Sequence, residues 1–270
     1  MLVIIIFLLI AAILSGLCYF IPLSPWFFFL WIPLSLILSA LILILFALAF
    51  IKIQAKTKPN HKFKHFVLRN ALKFSLILLR TPIKIYGKEN LPKEMGYTVY
   101  GNHKSNMDVV YAYLATSGFP TALGKKSLFQ NSILKDLGEG FQALPIDREN
   151  DREAIKSILK AIKNIKDYKL NYIIFPEGGV KSRETEEMVN LRAGAYKVAV
   201  KANAPIVPLC IIGSSKLQHK KWYQKEKIRL YFLKPLMPED YKDLNTTEIG
   251  HLVEQQINEC VIEHEKDNNR

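Results

Sequence analysis

Residues 97–108 read Tyr97-Thr-Val-Tyr-Gly-Asn-His-Lys-Ser-Asn-Met-Asp108. The apolar run Tyr97 to Tyr100 has the length and content of a short buried strand, and the turn dipeptide Gly101-Asn102 ends it. His103 and Asp108 then stand five residues apart at the entry to a helical pattern. A histidine at a strand-to-helix turn has a fixed backbone and a ring that faces incoming ligand. Its unperturbed pKa near 6.5 lets it take a proton around neutrality. An aspartate within reach of the second ring nitrogen holds one tautomer and stabilises the imidazolium as it forms. Ser105-x-x-Asp108 equally has the form of a capping box opening the next helix, with Ser105 as N-cap. Spacing alone leaves catalysis and capping both open.

The chain holds no G-x-S-x-G nucleophile elbow. In a catalytic reading, the proton that His103 removes therefore belongs to an acceptor hydroxyl rather than to a protein nucleophile.

On either side of this turn, short apolar runs alternate with helical patterns. Strands are predicted at Ile83–Tyr86, Tyr97–Tyr100, Thr121–Leu123, Phe141–Ile146, Tyr172–Phe175, Ile206–Ile212 and, at a sheet edge, Ile228–Leu233. Helices are predicted at about residues 106–116, at Ser127–Leu137 stopped by Gly138, after the cap Asn150-x-x-Glu153, at 193–202 and at 247–264. The expected fold class is α/β: a mixed, largely parallel sheet covered by helices on both faces.

In such sheets ligands bind beyond the carboxyl ends of the strands. Asn102-His103, Asp147-Arg148 and Pro176-Glu177-Gly178 each follow an apolar strand, so they are expected to converge at one edge. Arg148 offers a planar fork for a phosphate, or else a surface ion pair with Asp147 or Glu149. Glu177 suits hydrogen bonding to a polyol. Gly178 and Gly179 suit either a backbone approach to phosphate or a plain loop with positive φ. Lys181 and Arg183 add positive charge, while Glu184, Glu186 and Glu187 read as a solvated face. Lys104, Lys125 and Lys126 are taken as surface residues.

Asn102-His103-Lys-Ser-Asn-Met-Asp108 resembles the H-x4-D signature of the glycerolipid acyltransferases, the 1-acylglycerol-3-phosphate acyltransferase family. Gly140 to Arg148 resembles that family's second motif, Phe175-Pro-Glu177-Gly178 its third, and Ala204-Pro-Ile-Val-Pro208-Leu its fourth. The resemblance spans about Lys84 to Lys216. It departs from the family in the third motif, which usually reads F-P-E-G-T-R-S. Here Gly179-Val180 follow Gly178, so either Thr and Arg are replaced or an extra residue moves the basic role to Lys181.

The resemblance implies acyl transfer from a thioester to the free hydroxyl of a lysophospholipid. His103 and Asp108 would be catalytic, with Arg148, Glu177, Gly178 and Lys181 on the acceptor. Acyl-CoA or acyl-carrier protein enters as a co-substrate, and no cofactor or metal is expected. A remodelling acyltransferase with another head group, or a non-catalytic lipid-binding protein, is the alternative.

Before this region the chain is of another kind. Leu2 to Ile21 is uncharged and apolar, Pro22-Leu-Ser-Pro25 breaks it, and Trp26 to Ile51 is a second apolar run. Crossing ~30 Å of hydrocarbon takes roughly 20 such residues. The two runs are expected to form a transmembrane or re-entrant helical hairpin, with Trp26 and Trp31 at an interface. A signal peptide fits less well, because a basic n-region and a small-residue cleavage site are missing. Lys52, Lys56, Lys58, Lys62 and Lys64 follow, placing the rest of the chain on the cytoplasmic side.

Residues 61–80 carry Phe63, Phe66, Val67, Phe74 and Ile77 at helical spacing. That pattern fits a basic amphipathic helix lying on lipid, packing on a core, or doing both along its length. His61 and His65 are expected to face solvent or head groups. The expected organisation is a membrane hairpin over 1–58, an interfacial helix over 59–82 and an α/β domain over 83–270.

Composition narrows the partners. The 270 residues carry 37 Lys and Arg against 24 Asp and Glu, a net charge of +13. An excess of this size points to a membrane surface, a phosphorylated substrate or nucleic acid. The basic residues lack interleaved stacking aromatics and any recognition motif, which argues against nucleic acid. The three cysteines form no C-x-x-C or His/Cys cluster, so neither a disulfide nor a structural zinc is expected.

Overall fold

The computed structural model of the chain describes residues 2–17, 27–147, 150–180, 182–189 and 191–265. Helix α1 (Leu2–Leu17) and helix α2 (Phe27–Gln54) pack together. Within the hairpin, Ser15 Oγ meets Ser35 Oγ at 2.8 Å, and the Trp31 indole N–H donates to the Leu14 carbonyl at 2.9 Å. Trp31 thus serves helix pairing as well as any interface. α2 contains a stretch from Phe29 to Gln54 long and apolar enough to cross a membrane, and the described part of α1 is shorter. The expected turn at Pro22–Pro25 lies outside the described residues.

Helix α3 (Lys62–Leu78) follows, and then seven strands: β1 (Ile83–Tyr86), β2 (Thr98–Gly101), β3 (Phe119–Lys125), β4 (Leu144–Ile146), β5 (Leu170–Ile174), β6 (Ile206–Ile212) and β7 (Ile228–Phe232). The helices between and after them are α4 (Asp108–Ala115), α5 (Ser132–Phe141), α6 (Asp151–Tyr168), α7 (Lys197–Ala202), α8 (Pro238–Tyr241) and α9 (Thr246–Glu265). They form one sheet in the order β1-β7-β6-β2-β5-β3-β4, parallel throughout except for the antiparallel β6–β7 pair.

The mixed, largely parallel sheet covered by helices is as expected. β7, however, lies inside the sheet between β1 and β6. A strand of alternating burial such as Ile-Arg-Leu-Tyr-Phe reads as an edge from its own pattern, but the β1 segment covers its free side.

Both faces of the sheet are buried, as continuous apolar strands require. Tyr100, Tyr172, Ile174 and Ile206 pack under α6, α7 and α9, while Val99, Ile173, Val207 and Leu209 pack under α3 and α4. The largest boundary correction is at α5, which runs through Gly138 to Phe141 instead of stopping at Gly138. These glycines allow close approach rather than ending the helix. A Cβ at Gly138 would lie 2.6 Å from the Phe129 ring, and one at Gly140 would overlap the Gln54 side chain at the end of α2. Gln142, in the left-handed region, then turns the chain into β4.

α3 corrects the expectation for His65 and buries a lysine with it. Lys64 and His65 are buried, not solvated. The Lys64 ammonium donates to the Gly140 carbonyl and lies over the Phe141 ring, and burial lowers its pKa to about 8. The His65 ring packs against Phe119 and Phe141 and bonds to Tyr113 Oη at 2.8 Å and the Pro59 carbonyl at 2.9 Å. Burial holds its pKa down at about 4. Phe63, Phe66, Ile77 and Leu78 on the opposite face are exposed.

Candidate active site

β2 and β5 are parallel neighbours with Tyr100 opposite Ile174, so the chain leaves both strands at the same sheet edge. Asn102 fixes the first exit. Its amide donates to the Ile211 and Glu186 carbonyls and accepts from the Ile211 N–H, each within 2.8 Å. That residue is fully buried and ties the end of β2 to the end of β6.

His103 comes next, with its side chain 14% exposed. The ring stacks on Phe175 at a centroid distance of 4.3 Å. Nδ1 sits 3.1 Å from Asp108 Oδ2. The same oxygen accepts the backbone N–H groups of Lys104 and Ser105, both at 2.7 Å. Catalysis and capping are therefore not alternatives: one buried carboxylate gathers two amides of the turn and the imidazole. Ser105 is not the N-cap, since α4 begins at Asp108, and its Oγ instead accepts from the Met107 N–H at 3.2 Å. With Nδ1 directed at Asp108, the geometry is that of a ring whose Nε2 is the basic nitrogen.

Glu177 sits beneath this turn, fully buried. Its Oε1 accepts the His103 N–H at 2.8 Å and its Oε2 the Lys104 ammonium at 3.2 Å. Burial raises its pKa, opposed by those two donors. The expectation that Glu177 hydrogen-bonds a polyol is thus corrected, because both oxygens already have partners inside the protein. Lys104 is corrected with it, being fully buried rather than a surface residue. Gly178 has φ +76°, a conformation that favours glycine, and its N–H closes back on the Phe175 carbonyl at 3.0 Å. That amide shapes the loop and is not available to a phosphate.

Arg183 donates from Nε to the Lys104 carbonyl at 3.0 Å and from Nη1 to Gln218 at 2.9 Å, bracing the turn from the other side. Glu186, read from sequence as solvated, is buried with its Oε1 on the N–H groups of Gly213 and Ser215, and burial raises its pKa. Asp147 forms an ion pair with Lys126 at 2.9 Å. The predicted residues Arg148 and Lys181 lie outside the described residues.

A cavity of about 500 Å³ runs beside Phe175 and Gly178. Leu123, Ile146, Ile155, Ile158 and Val198 make its wall largely apolar, and Asp147, Arg192 and Lys197 add charge. Sequence reasoning missed Arg192. Its N–H bonds to the Pro176 carbonyl at 3.1 Å, and its side chain lies on Gly178, where a Cβ would come within 2.8 Å of Nε. The basic residue in Leu191-Arg-Ala-Gly194 just ahead of a helix was the available signal. Among the described residues no group of three or more His, Cys, Asp or Glu is placed to hold a metal ion.

The fold and this edge define a class, an α/β enzyme with a histidine–aspartate turn beside an apolar cavity. Residues 82–212 match the family model described as Acyltransferase. The chain is 32% identical over 197 residues to the 1-acyl-sn-glycerol-3-phosphate acyltransferase of Bacillus subtilis, which covers 73% of this chain and 94% of that protein. It is 30% identical over 188 residues to the Saccharomyces cerevisiae protein of the same name, covering 66% of this chain and 58% of that one. The crystal structure of the 1-acyl-sn-glycerophosphate (LPA) acyltransferase PlsC from Thermotoga maritima shares the fold, with a TM-score of 0.65 and 20% identity over 80% of this chain and 88% of that one. The chain belongs to the acyltransferase family and is an acyl-transfer enzyme, as the four sequence blocks implied.

Proposed function

We propose that the protein transfers an acyl group from a thioester to the free hydroxyl of 1-acylglycerol-3-phosphate, giving phosphatidic acid. The observation that carries this reading is the His103 ring, oriented through Nδ1 by Asp108 and stacked on Phe175, which lines an apolar cavity. His103 Nε2 takes the hydroxyl proton as that oxygen attacks the thioester carbonyl. Asp108 keeps the productive tautomer and stabilises the imidazolium. The tetrahedral intermediate collapses with loss of the thiolate, which takes up the proton. Both Glu177 oxygens are engaged within the protein, so Glu177 acts through the turn as a positioning residue.

The cavity volume of about 500 Å³ lies within the range of ligand pockets and suits an acyl chain. Arg148, Lys181 and Arg192 are the cations proposed to meet the acceptor phosphate. The donor is acyl-CoA or acyl-carrier protein, both anionic like the partner that a +13 chain favours. The hairpin is proposed to hold the enzyme at a membrane, with the α/β domain on the cytoplasmic side next to the lysines that follow α2. α3 lies with its exposed apolar face on the lipid.

A radiolabelled acyl-thioester assay against a panel of lysophospholipids tests the reading. Transfer to 1-acylglycerol-3-phosphate above other head groups, abolished in His103→Ala with membrane retention intact, is the expected result. Near-native turnover in that variant would refute the role of His103, and a preference for another head group would identify a remodelling enzyme.

A further inference from the structure

The segment Lys216 to Lys227 takes no part in the chemistry above, yet it is a constructed feature. It carries five lysines (Lys216, Lys220, Lys221, Lys225 and Lys227) against the single acid Glu226. At its centre, Trp222 is 85% exposed and Tyr223 is also exposed. A soluble surface has little reason to hold an indole in water, and the loop does not leave it there by default. Gln224 closes a tight turn under the pair: its Oε1 accepts the Lys221 N–H at 2.8 Å, and its own N–H returns to the Lys221 carbonyl at 3.0 Å. The two rings meet edge to face at 5.8 Å. Lys216, Lys220 and Lys225 line a shallow hollow of about 380 Å³ on the same loop.

The loop is also continuous with two features already described. Its Glu226 N–H donates to the Arg80 carbonyl at 3.1 Å, just beyond the exposed Ile77, Leu78 and Leu79 at the end of α3. A cleft of about 430 Å³ joins it to the catalytic turn, lined by Leu79, Ser105, Met107, Arg183, Lys220 and Trp222. An exposed tryptophan and tyrosine among lysines, beside an exposed apolar helix end, is the chemistry of a lipid–water interface. The rings seat at head-group depth and the ammonium groups meet lipid phosphates.

We propose that the Lys216–Lys227 loop is a second membrane-contact element. Trp222 and Tyr223 enter the head-group layer of an anionic phospholipid bilayer, so that the cleft beside Ser105 and Met107 opens onto the membrane surface. This rests on the membrane placement given under the proposed function and adds a named contact to it. An acidic carrier protein would also be drawn to the lysines. It would not account for a fully presented indole abutting the apolar end of α3, which a bilayer does.

The test uses the full chain in proteoliposomes with Trp26→Phe and Trp31→Phe, which leaves Trp222 as the only indole. The expected result is blue-shifted emission quenched about twofold or more by brominated lipid in vesicles of phosphatidylcholine with phosphatidylglycerol. In phosphatidylcholine alone that quenching should be clearly weaker. Lys220→Glu with Lys221→Glu should move Trp222 back toward solvent. Solvent-like emission with equal iodide quenching in both vesicles would overturn the proposal. Equal lipid quenching in both would remove the anionic partner from it. Protection of Trp222 from iodide by free coenzyme A or carrier protein, without lipid contact, would reassign the loop to the donor.

A kinetic arm separates this inference from the catalytic reading. Trp222→Ala with Tyr223→Ala should lose severalfold activity on vesicle-embedded acceptor and keep it on detergent-dispersed acceptor. Parallel loss on both would count against the loop as a membrane contact. Absence of transfer in the unmodified enzyme would fail the proposed reaction instead.

Discussion

Glu177 and Lys104 are both fully buried and meet only under the catalytic turn, so they can be perturbed together and apart. In Glu177→Gln, the amide oxygen still accepts the His103 N–H, but the fully buried Lys104 ammonium loses its counter-charge. Removing one partner of a buried ion pair costs about 3–5 kcal/mol, most of it from the charge left behind. In Lys104→Met the carboxylate is left instead with one of its two donors removed, so burial pushes its pKa further up. That variant should lose about 2 kcal/mol. The double variant removes both charges, keeps the acceptor for His103 and replaces the lysine stem with a side chain of similar length. Since desolvation outweighs attraction for Glu177, the double variant should sit within about 1–2 kcal/mol of the parent.

The assay is thermal or denaturant unfolding of the detergent-solubilised chain for the four members of the cycle, with turnover measured on each. A coupling energy of about 3–6 kcal/mol is expected from these figures. Turnover should follow the turn rather than the global stability. Displacing His103 by an ångström costs about 10²-fold, so Glu177→Gln should lower kcat with little change in KM. Single-variant losses that add within about 0.5 kcal/mol would mean the pair is not coupled, and the bracing argument would fail.

Asp108→Asn leaves an uncharged oxygen at the one position that serves the Lys104 and Ser105 amides and His103 Nδ1 together, so the protein should stay folded while the imidazolium loses its counter-charge and kcat falls on the order of 10³–10⁴; full activity would show that Asp108 only caps the turn. His65 is held neutral at about 4 in the folded protein, against about 6.5 unfolded. Above pH 6.5 it contributes no slope. Below that the unfolded chain takes up a proton and the folded one does not, so stability falls by about 1.4 kcal/mol per pH unit toward pH 4. His65→Gln should flatten the wild-type decline between pH 7 and pH 5 by about 2 kcal/mol, and an unchanged slope would reject the burial argument. Arg69 donates to the carbonyls of Tyr113, Leu114, Thr116 and Gly118 at 2.7–3.3 Å, closing the end of α4. Arg69→Met should cost about 2–3 kcal/mol and speed amide exchange in α4.

The strands were legible because a sheet covered on both faces needs unbroken apolar runs, and Tyr172-Ile-Ile or Ile206 to Ile212 admit no other reading. The pairing of His103 with Asp108 was legible for a local reason, since five residues of turn fix their separation. What sequence could not show was burial of charge. Lys64, Lys104, Glu177 and Glu186 look like solvated residues because their partners are Gly140, Glu177, the His103 amide and the Gly213 amide, each from another element. Local periodicity does not hold that information. Gly138, read as a helix stop, misled because what requires a glycine there is the Phe129 ring, just as Gln54, far away in the chain, requires one at Gly140.

α3 shows why the membrane segment and the catalytic turn belong to one machine. A helix on a soluble domain turns its apolar stripe inward and its charges outward. α3 reverses part of this, burying Lys64 and His65 and half-burying Arg69 beside Leu76 while exposing Phe63, Phe66, Ile77 and Leu78. The inward-facing cations are not a packing accident. Lys64 meets the last turn of α5, and Arg69 meets the last carbonyls of α4, the ends at which a helix dipole favours positive charge. α4 carries Asp108 at its other end. The helix proposed to rest on lipid through one face holds, through the other, the helix whose Asp108 meets the His103 imidazole. On that proposal, depth in the membrane and position of the turn are set by the same element, which would place the acceptor hydroxyl and the His103 ring in one frame.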